Sequence, residues 1–158
     1  MLKKNQSYFY LIIIFISLFS ILSALYIEHF LSIPACKLCL YQRIPYIFSI
    51  IISFFGYFFF QNKIWQYLLI LIFFINIIIS GYHVGIETNF FDEFSGCTNQ
   101  NLNTLDKAEL LKNLNNFLPS CKDVNFTILG LSLATINFIL SIALTLITIK
   151  YLYNEKNR

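Results

Sequence analysis

Charged side chains are scarce in this chain. Only 12% of its 158 residues are Asp, Glu, Lys or Arg while 58% are hydrophobic, against roughly 25% charged in an ordinary soluble domain. That balance excludes a soluble globular class and makes lipid the solvent for most of the surface. The formal charge of +3 is spread thinly, without the clustered basic stripe of a nucleic-acid binder, so no nucleic-acid partner is expected. A cleavage signal is also missing. Lys3-Lys4 followed by apolar residues resembles the start of a signal peptide, but the apolar run exceeds the usual 7 to 15 residues and no small-x-small pattern follows in register. Ile33-Pro34-Ala35-Cys36 is a poor lipid-attachment box for the same reason of distance, and the first segment is expected to stay in place.

What remains is apolar sequence in four blocks, at 8–27, 44–60, 64–82 and 128–149, each long enough or nearly so to cross a hydrocarbon core of about 20 residues. The fold class is therefore an all-α integral membrane protein, a four-helix transmembrane bundle in a single domain over 1–158, because a lipid-exposed backbone must bond internally. Gln61-Asn62-Lys63 alone joins the second and third blocks, which predicts a tight antiparallel hairpin. The polar stretch 83–127 is expected to lie outside the bilayer as a long extracytoplasmic loop between helices 3 and 4. Within it, apolar residues at Leu105, Ala108, Leu111, Leu114 and Leu118 have helical spacing, which predicts a short amphipathic helix ending at Pro119.

Orientation follows from basic residues near the spans. One side carries Lys3, Lys4, Lys63, Lys150, Lys156 and Arg158 against Glu155 alone; the other carries Lys37, Arg43, Lys107, Lys112 and Lys122 against Glu28, Glu87, Asp92, Glu93, Asp106, Glu109 and Asp123. Both termini are thus predicted in the cytoplasm, and Cys36, Cys39, Cys97 and Cys121 on the far side, where disulfides persist.

Cys36-Lys37-Leu38-Cys39 is the motif that carries chemistry. Cys97 and Cys121, if bridged to each other, would be an ordinary staple of an exported loop worth about 3 kcal/mol. The Cys36/Cys39 pair has no such explanation, since closing so short a ring removes little chain entropy and an i,i+3 bond is readily strained and oxidising. Arg43 follows Cys39 by one helical turn, where a fixed cation would lower a thiol's pKa and stabilise an anionic oxygen acceptor. Pro45 sets a condition on that register: either the span starts near Ile44 with the cysteines on a preceding turn, or a longer helix kinks there. His83, ending the third block, could bond an acceptor oxygen or move a proton, and Glu87 lies one turn further on. A single zinc site built from all four cysteines is the alternative, a structural or metal-binding cluster, but Cys97 and Cys121 lack the second Cys-x-x-Cys spacing it needs. No metal is expected.

Taken together, Pro34-Ala35-Cys36-Lys37-Leu38-Cys39-Leu40-Tyr41-Gln42-Arg43-Ile44-Pro45-Tyr46, Gly81-Tyr82-His83-Val84-Gly85-Ile86-Glu87 and Gly130-Leu131-Ser132-Leu133-Ala134 resemble the DsbB/DsbI family of disulfide-bond-forming membrane proteins over essentially the whole chain. A vitamin-K-epoxide-reductase-like protein would place its Cys-x-x-Cys after the loop pair instead of before it. The resemblance implies catalytic Cys36, Cys39, Cys97 and Cys121, with Cys97/Cys121 as a loop disulfide that accepts electrons from a periplasmic DsbA-like thioredoxin-fold partner, Cys97 forming the mixed disulfide. Electrons would pass to Cys36/Cys39 and then to a membrane quinone, ubiquinone or menaquinone, near Cys39, with Arg43 and His83 as quinone-site residues. It also implies the bacterial inner membrane. A partner oxidant near about −120 mV needs a stronger acceptor than a glutathione pool near roughly −200 mV, and a quinone meets that need.

Overall fold

The computed structural model describes residues 2–59, 62–92, 120–122, 126–128 and 130–156. Four helices account for most of them: α1 (Leu2–His29), α2 (Lys37–Phe58), α3 (Ile64–Glu87) and α4 (Leu133–Lys156). A two-stranded antiparallel ribbon, β1 (Thr127–Ile128) and β2 (Leu131–Ser132), precedes α4. All four helices are long and apolar enough to span a membrane. Their burial is inverted relative to a soluble bundle: Phe15 and Phe19 are 71% and 64% exposed, whereas Ser17, Asn76, Ser80 and Thr148 are fully buried. Apolar side chains facing outward meet acyl chains at no cost, and inward polar ones bond across helices. The chain is a multi-pass membrane protein.

The helices pack in series, α1 on α2, α2 on α3 and α3 on α4. Each interface has a polar tie, that between α2 and α3 being Gln42 Nε2 donating to His83 Nδ1 at 3.0 Å. Ser17 and Ser49 hydroxyls meet at 2.7 Å between α1 and α2, and Asn76 Nδ2 donates to Ser141 Oγ at 2.8 Å between α3 and α4. Gly56 of α2 makes room for Tyr10 of α1; a Cβ there would stand 2.5 Å from the Tyr10 ring. The core gathers all four helices through Phe9, Tyr10, Ile13, Tyr46, Leu69, Phe73 and Leu144. At the end bearing the chain termini, Phe9 stacks on Tyr151 with centroids 4.1 Å apart, and Gln66 Nε2 donates to Glu155 Oε2 at 2.6 Å.

All four helices depart from their apolar blocks, α1 by running from Leu2 to His29 and the others in ways that bear on the site. α2 starts at Lys37, well before Ile44, and runs straight through Pro45, so hydropathy marked where charge ends and not where the helix begins. α3 continues past Tyr82 to Glu87, which makes His83 and Glu87 helical. α4 starts at Leu133 because Gly130, at φ +80°, turns the ribbon that precedes it. Beyond Glu87 and the C-cap Thr88, Asn89 takes a left-handed φ of 59°; the Phe90 N–H then reaches back to the Gly85 carbonyl at 2.8 Å, and Phe91 folds over Gly85. Cys97 and the amphipathic segment expected at 104–118 lie outside the described residues.

Candidate active site

Cys36 is the N-cap of α2. Its backbone is extended (φ −69°, ψ 166°) and its Sγ accepts the Cys39 N–H at 3.2 Å, the role usually taken by a Ser or Asp oxygen. Sulfur at this position faces the positive end of the helix macrodipole, where a thiolate is favoured. Both Cys36 and Cys39 are free thiols. Because α2 is continuous through Pro45, Cys39 and Arg43 do share a face, and both line one cavity.

From α3, His83 reaches the same point. Its Nε2 lies 3.6 Å from Cys36 Sγ and 3.8 Å from Glu87 Oε1, and its ring is buried. Glu87 in turn accepts a hydrogen bond from Ser132 Oγ of β2 at 2.5 Å, so the ribbon before α4 fixes the carboxylate. Arg43 forms an ion pair with Glu28 of α1 at 2.6 Å. The Cys36 thiol is pushed down to about 5. A hydrogen bond from the Cys39 side chain is the largest cause and bonding to His83 adds to it, while burial opposes both.

Cys121 is disulfide-bonded, with a partner other than Cys36 or Cys39. It is 1% exposed and packs in one cluster with Cys36, Leu38 and Ile86, against which Cys39 and Tyr82 also rest. The structure therefore brings Cys36, Cys39, Arg43, His83 and Cys121 together. Cys97 lies outside the described residues.

Below the sulfurs a cavity of about 470 Å³ extends along the bundle. Its walls are mainly apolar, including Phe15, Ile16 and Phe19 of α1 and Ile136 and Leu140 of α4, with Arg43, Gln42, His83 and Asn137 at its polar head.

Cys36, Cys39 and His83 place three ligand-type atoms within 4.8 Å of one another. Gln42 Nε2, an amide donor, bonds His83 Nδ1 at 3.0 Å, which puts the proton of a neutral ring on Nε2, the nitrogen facing the thiols. A metal-ligating histidine usually has an acceptor behind it, freeing the metal-facing nitrogen. The trio as built is a hydrogen-bonded thiol site.

Sequence reasoning missed Gln42, Tyr46 and Asn137, and had Glu87 only as a group one turn beyond His83 that could orient it. Amide side chains inside apolar spans are themselves a signal, because intramembrane polar groups are costly and so tend to be functional.

A free Cys-x-x-Cys capping a spanning helix, beside a bridged cysteine and above a largely apolar cavity, defines a membrane protein of dithiol–disulfide chemistry. The model of the family described as disulfide bond formation protein DsbB matches residues 6–150, and the chain belongs to that family. No curated protein matches it at a significant level.

Proposed function

We propose that this chain is a quinone-linked disulfide oxidoreductase of the bacterial inner membrane that re-oxidises a DsbA-like thioredoxin-fold dithiol partner. The observation that carries the reading is the stacking of three elements: Cys121 packed on Cys36, the Cys36/Cys39 dithiol, and a largely apolar cavity with Cys39 and Arg43 at its head.

On this reading Cys97 and Cys121 form the loop disulfide, and the partner's dithiol reduces it through a mixed disulfide at Cys97. The Cys121 thiolate so released is already in the cluster that holds Cys36, so it exchanges with an oxidised Cys36–Cys39 bond without a large movement. Attack on Cys36 releases the Cys39 thiolate; when Cys97 then re-forms its bond to Cys121, the leaving group is the Cys36 thiolate, which the helix N-terminus and His83 stabilise, and a stabilised thiolate leaves faster. A quinone held in the cavity would supply the two-electron acceptor needed to return Cys36/Cys39 to the disulfide. Arg43 would hold its oxygen, the apolar walls exclude water, and His83 with Glu87 offers a proton path beside the sulfurs. The cavity suits such a ligand: a long apolar wall for a tail and a few convergent polar groups for a head. The charge bias supports both termini in the cytoplasm and the cysteines in the periplasm.

The test is quinone reduction by purified protein fed a reduced thioredoxin-fold dithiol protein. Cys36→Ser and Cys39→Ser should each abolish it. Full turnover in the double variant sinks the assignment.

A further inference from the structure

Three hydrogen bonds beside the dithiol run in one direction. Tyr46 Oη donates to Asn137 Oδ1 at 2.5 Å, Asn137 Nδ2 donates to Gln42 Oε1 at 2.9 Å, and Gln42 Nε2 donates to His83 Nδ1 at 3.0 Å. Each amide uses its oxygen on one side and its nitrogen on the other, so the polarity at one end fixes the polarity at the next. A neutral imidazole whose Nδ1 accepts carries its proton on Nε2, and Nε2 stands 3.6 Å from Cys36 Sγ. The chain passes from α2 to α4, back to α2 and on to α3.

We infer that Gln42, Asn137 and Tyr46 are positioning residues that lock His83 as a hydrogen-bond donor to Cys36, making Cys36 the resident thiolate of the reduced site. Reversed, the same chain would place an acceptor behind the ring and a lone pair in front of Cys36, and His83 could no longer donate to a thiolate. Other groups near the sulfur do not substitute for it. Glu87, whose Oε1 lies 3.8 Å from the same His83 Nε2, is an anion with no proton to donate, Arg43 is engaged by Glu28, Cys39 supplies its own N–H and thiol, and Cys121 is in a disulfide.

The consequence rests on the quinone reading. Cys36 thiolate and Cys39 thiol become one S–S bond, releasing two electrons and one proton; the quinone takes both electrons, that proton and a second from water. The thiolate locked by the chain is the nucleophile that closes the bond.

The test needs neither quinone nor partner. In full-length Cys39→Ser protein, with the loop cysteines oxidised, the pH dependence of Cys36 alkylation by iodoacetamide gives a titration midpoint; the serine keeps a hydroxyl donor beside Cys36. Asn137→Leu should raise that midpoint by about one unit, a roughly tenfold loss of rate below it. His83→Phe should raise it at least as far, and the double variant no further than His83→Phe alone, because Asn137 acts only through the ring. An unchanged midpoint in Asn137→Leu, or a shift that persists in full on the His83→Phe background, overturns the inference. Tyr46→Phe, which removes only the first donor, should move the midpoint the same way by about half a unit; where Asn137→Leu does not fold, Tyr46→Phe with and without His83 decides by the same criteria. A failure of electron transfer to quinone would leave this titration unaffected, so the two readings fail separately.

Discussion

Cys36 is acidified by local geometry, and this has a sign that can be measured. Its pKa falls from an ordinary thiol value of 9.0 to about 5, first through the Cys39 side chain and then through His83. A group whose folded pKa is depressed stabilises the fold above its unfolded pKa and loses that contribution as pH falls through the folded value. The reduced protein should therefore lose melting temperature as pH drops from 9 towards 5, and Cys36→Ser should flatten that slope; equal slopes would contradict the thiolate. Arg43 sits 2.6 Å from Glu28 at the cavity wall. On the proposed quinone reading, Arg43→His should raise the KM for quinone about tenfold with little change for the protein partner, a loss of about 1.4 kcal/mol of binding. Glu28→Ala should shift it in the same direction by less, because the guanidinium keeps its charge and loses only its position. Equal effects on both substrates would remove Arg43 from the quinone site. That Cys36, Cys39, Arg43 and His83 gather at one point was legible from motif, spacing and family resemblance. Gln42, Tyr46 and Asn137 were not, because each bonds a partner on another helix, and hydropathy does not say which helix faces meet; Glu87 showed only as one turn beyond His83, and its bond from Ser132 of β2 spans the loop.

Helix α2 shows why the elements were easier to count than to bound. Four apolar blocks gave four spans, yet hydropathy delayed the start of α2 to Ile44 because Lys37 and Arg43 interrupt the apolar pattern. The cap at Cys36 and the continuous helix through Pro45 carry the dithiol into the bundle, and it is this continuity that puts Cys39 and Arg43 on one face. Proline removes the donor that the Tyr41 carbonyl would use, a local cost that a helix packed against both α1 and α3 can absorb. Gly56, further along α2, sets how closely α1 can approach. Its missing Cβ is the space filled by the fully buried Tyr10 ring. Gly56→Ala should drive Tyr10 off its site and cost about 1 to 3 kcal/mol, read as a lower melting temperature in detergent. Because Gly56 lies far along the helix from Cys36, thiol chemistry per folded molecule should be preserved; a loss of thiol reactivity without a loss of stability would show that the α1–α2 contact acts on the site directly.

Across the whole molecule, α1 and α4 define two ends of different character. Where the termini lie, Phe9 stacks on Tyr151 and the four helices share one core. Towards the cysteines, the same two helices flank the cavity, with Ser20, Ala24 and Ile27 on one side and Ala134, Ile136 and Leu140 on the other. Serial packing of α1 to α4 leaves the α1–α4 seam as the side on which the chain need not close, and a ligand that arrives dissolved in lipid would enter there. Cys121, at 1% exposure, packs against the dithiol, so on the proposed reading electrons reach Cys36/Cys39 through Cys121 and leave them on the cavity side. This separation predicts that narrowing the cavity harms one substrate and spares the other. Ala24→Leu adds bulk to the α1 wall without touching Cys36, Cys39 or Arg43. It should raise the KM for quinone about tenfold, the effect of roughly 1.4 kcal/mol of overpacking, and raise it more for long-tailed than for tailless quinones, while the KM for the thioredoxin-fold partner stays unchanged. Equal rises for both substrates would place the quinone elsewhere, and insensitivity to tail length would confine the cavity's role to the head group.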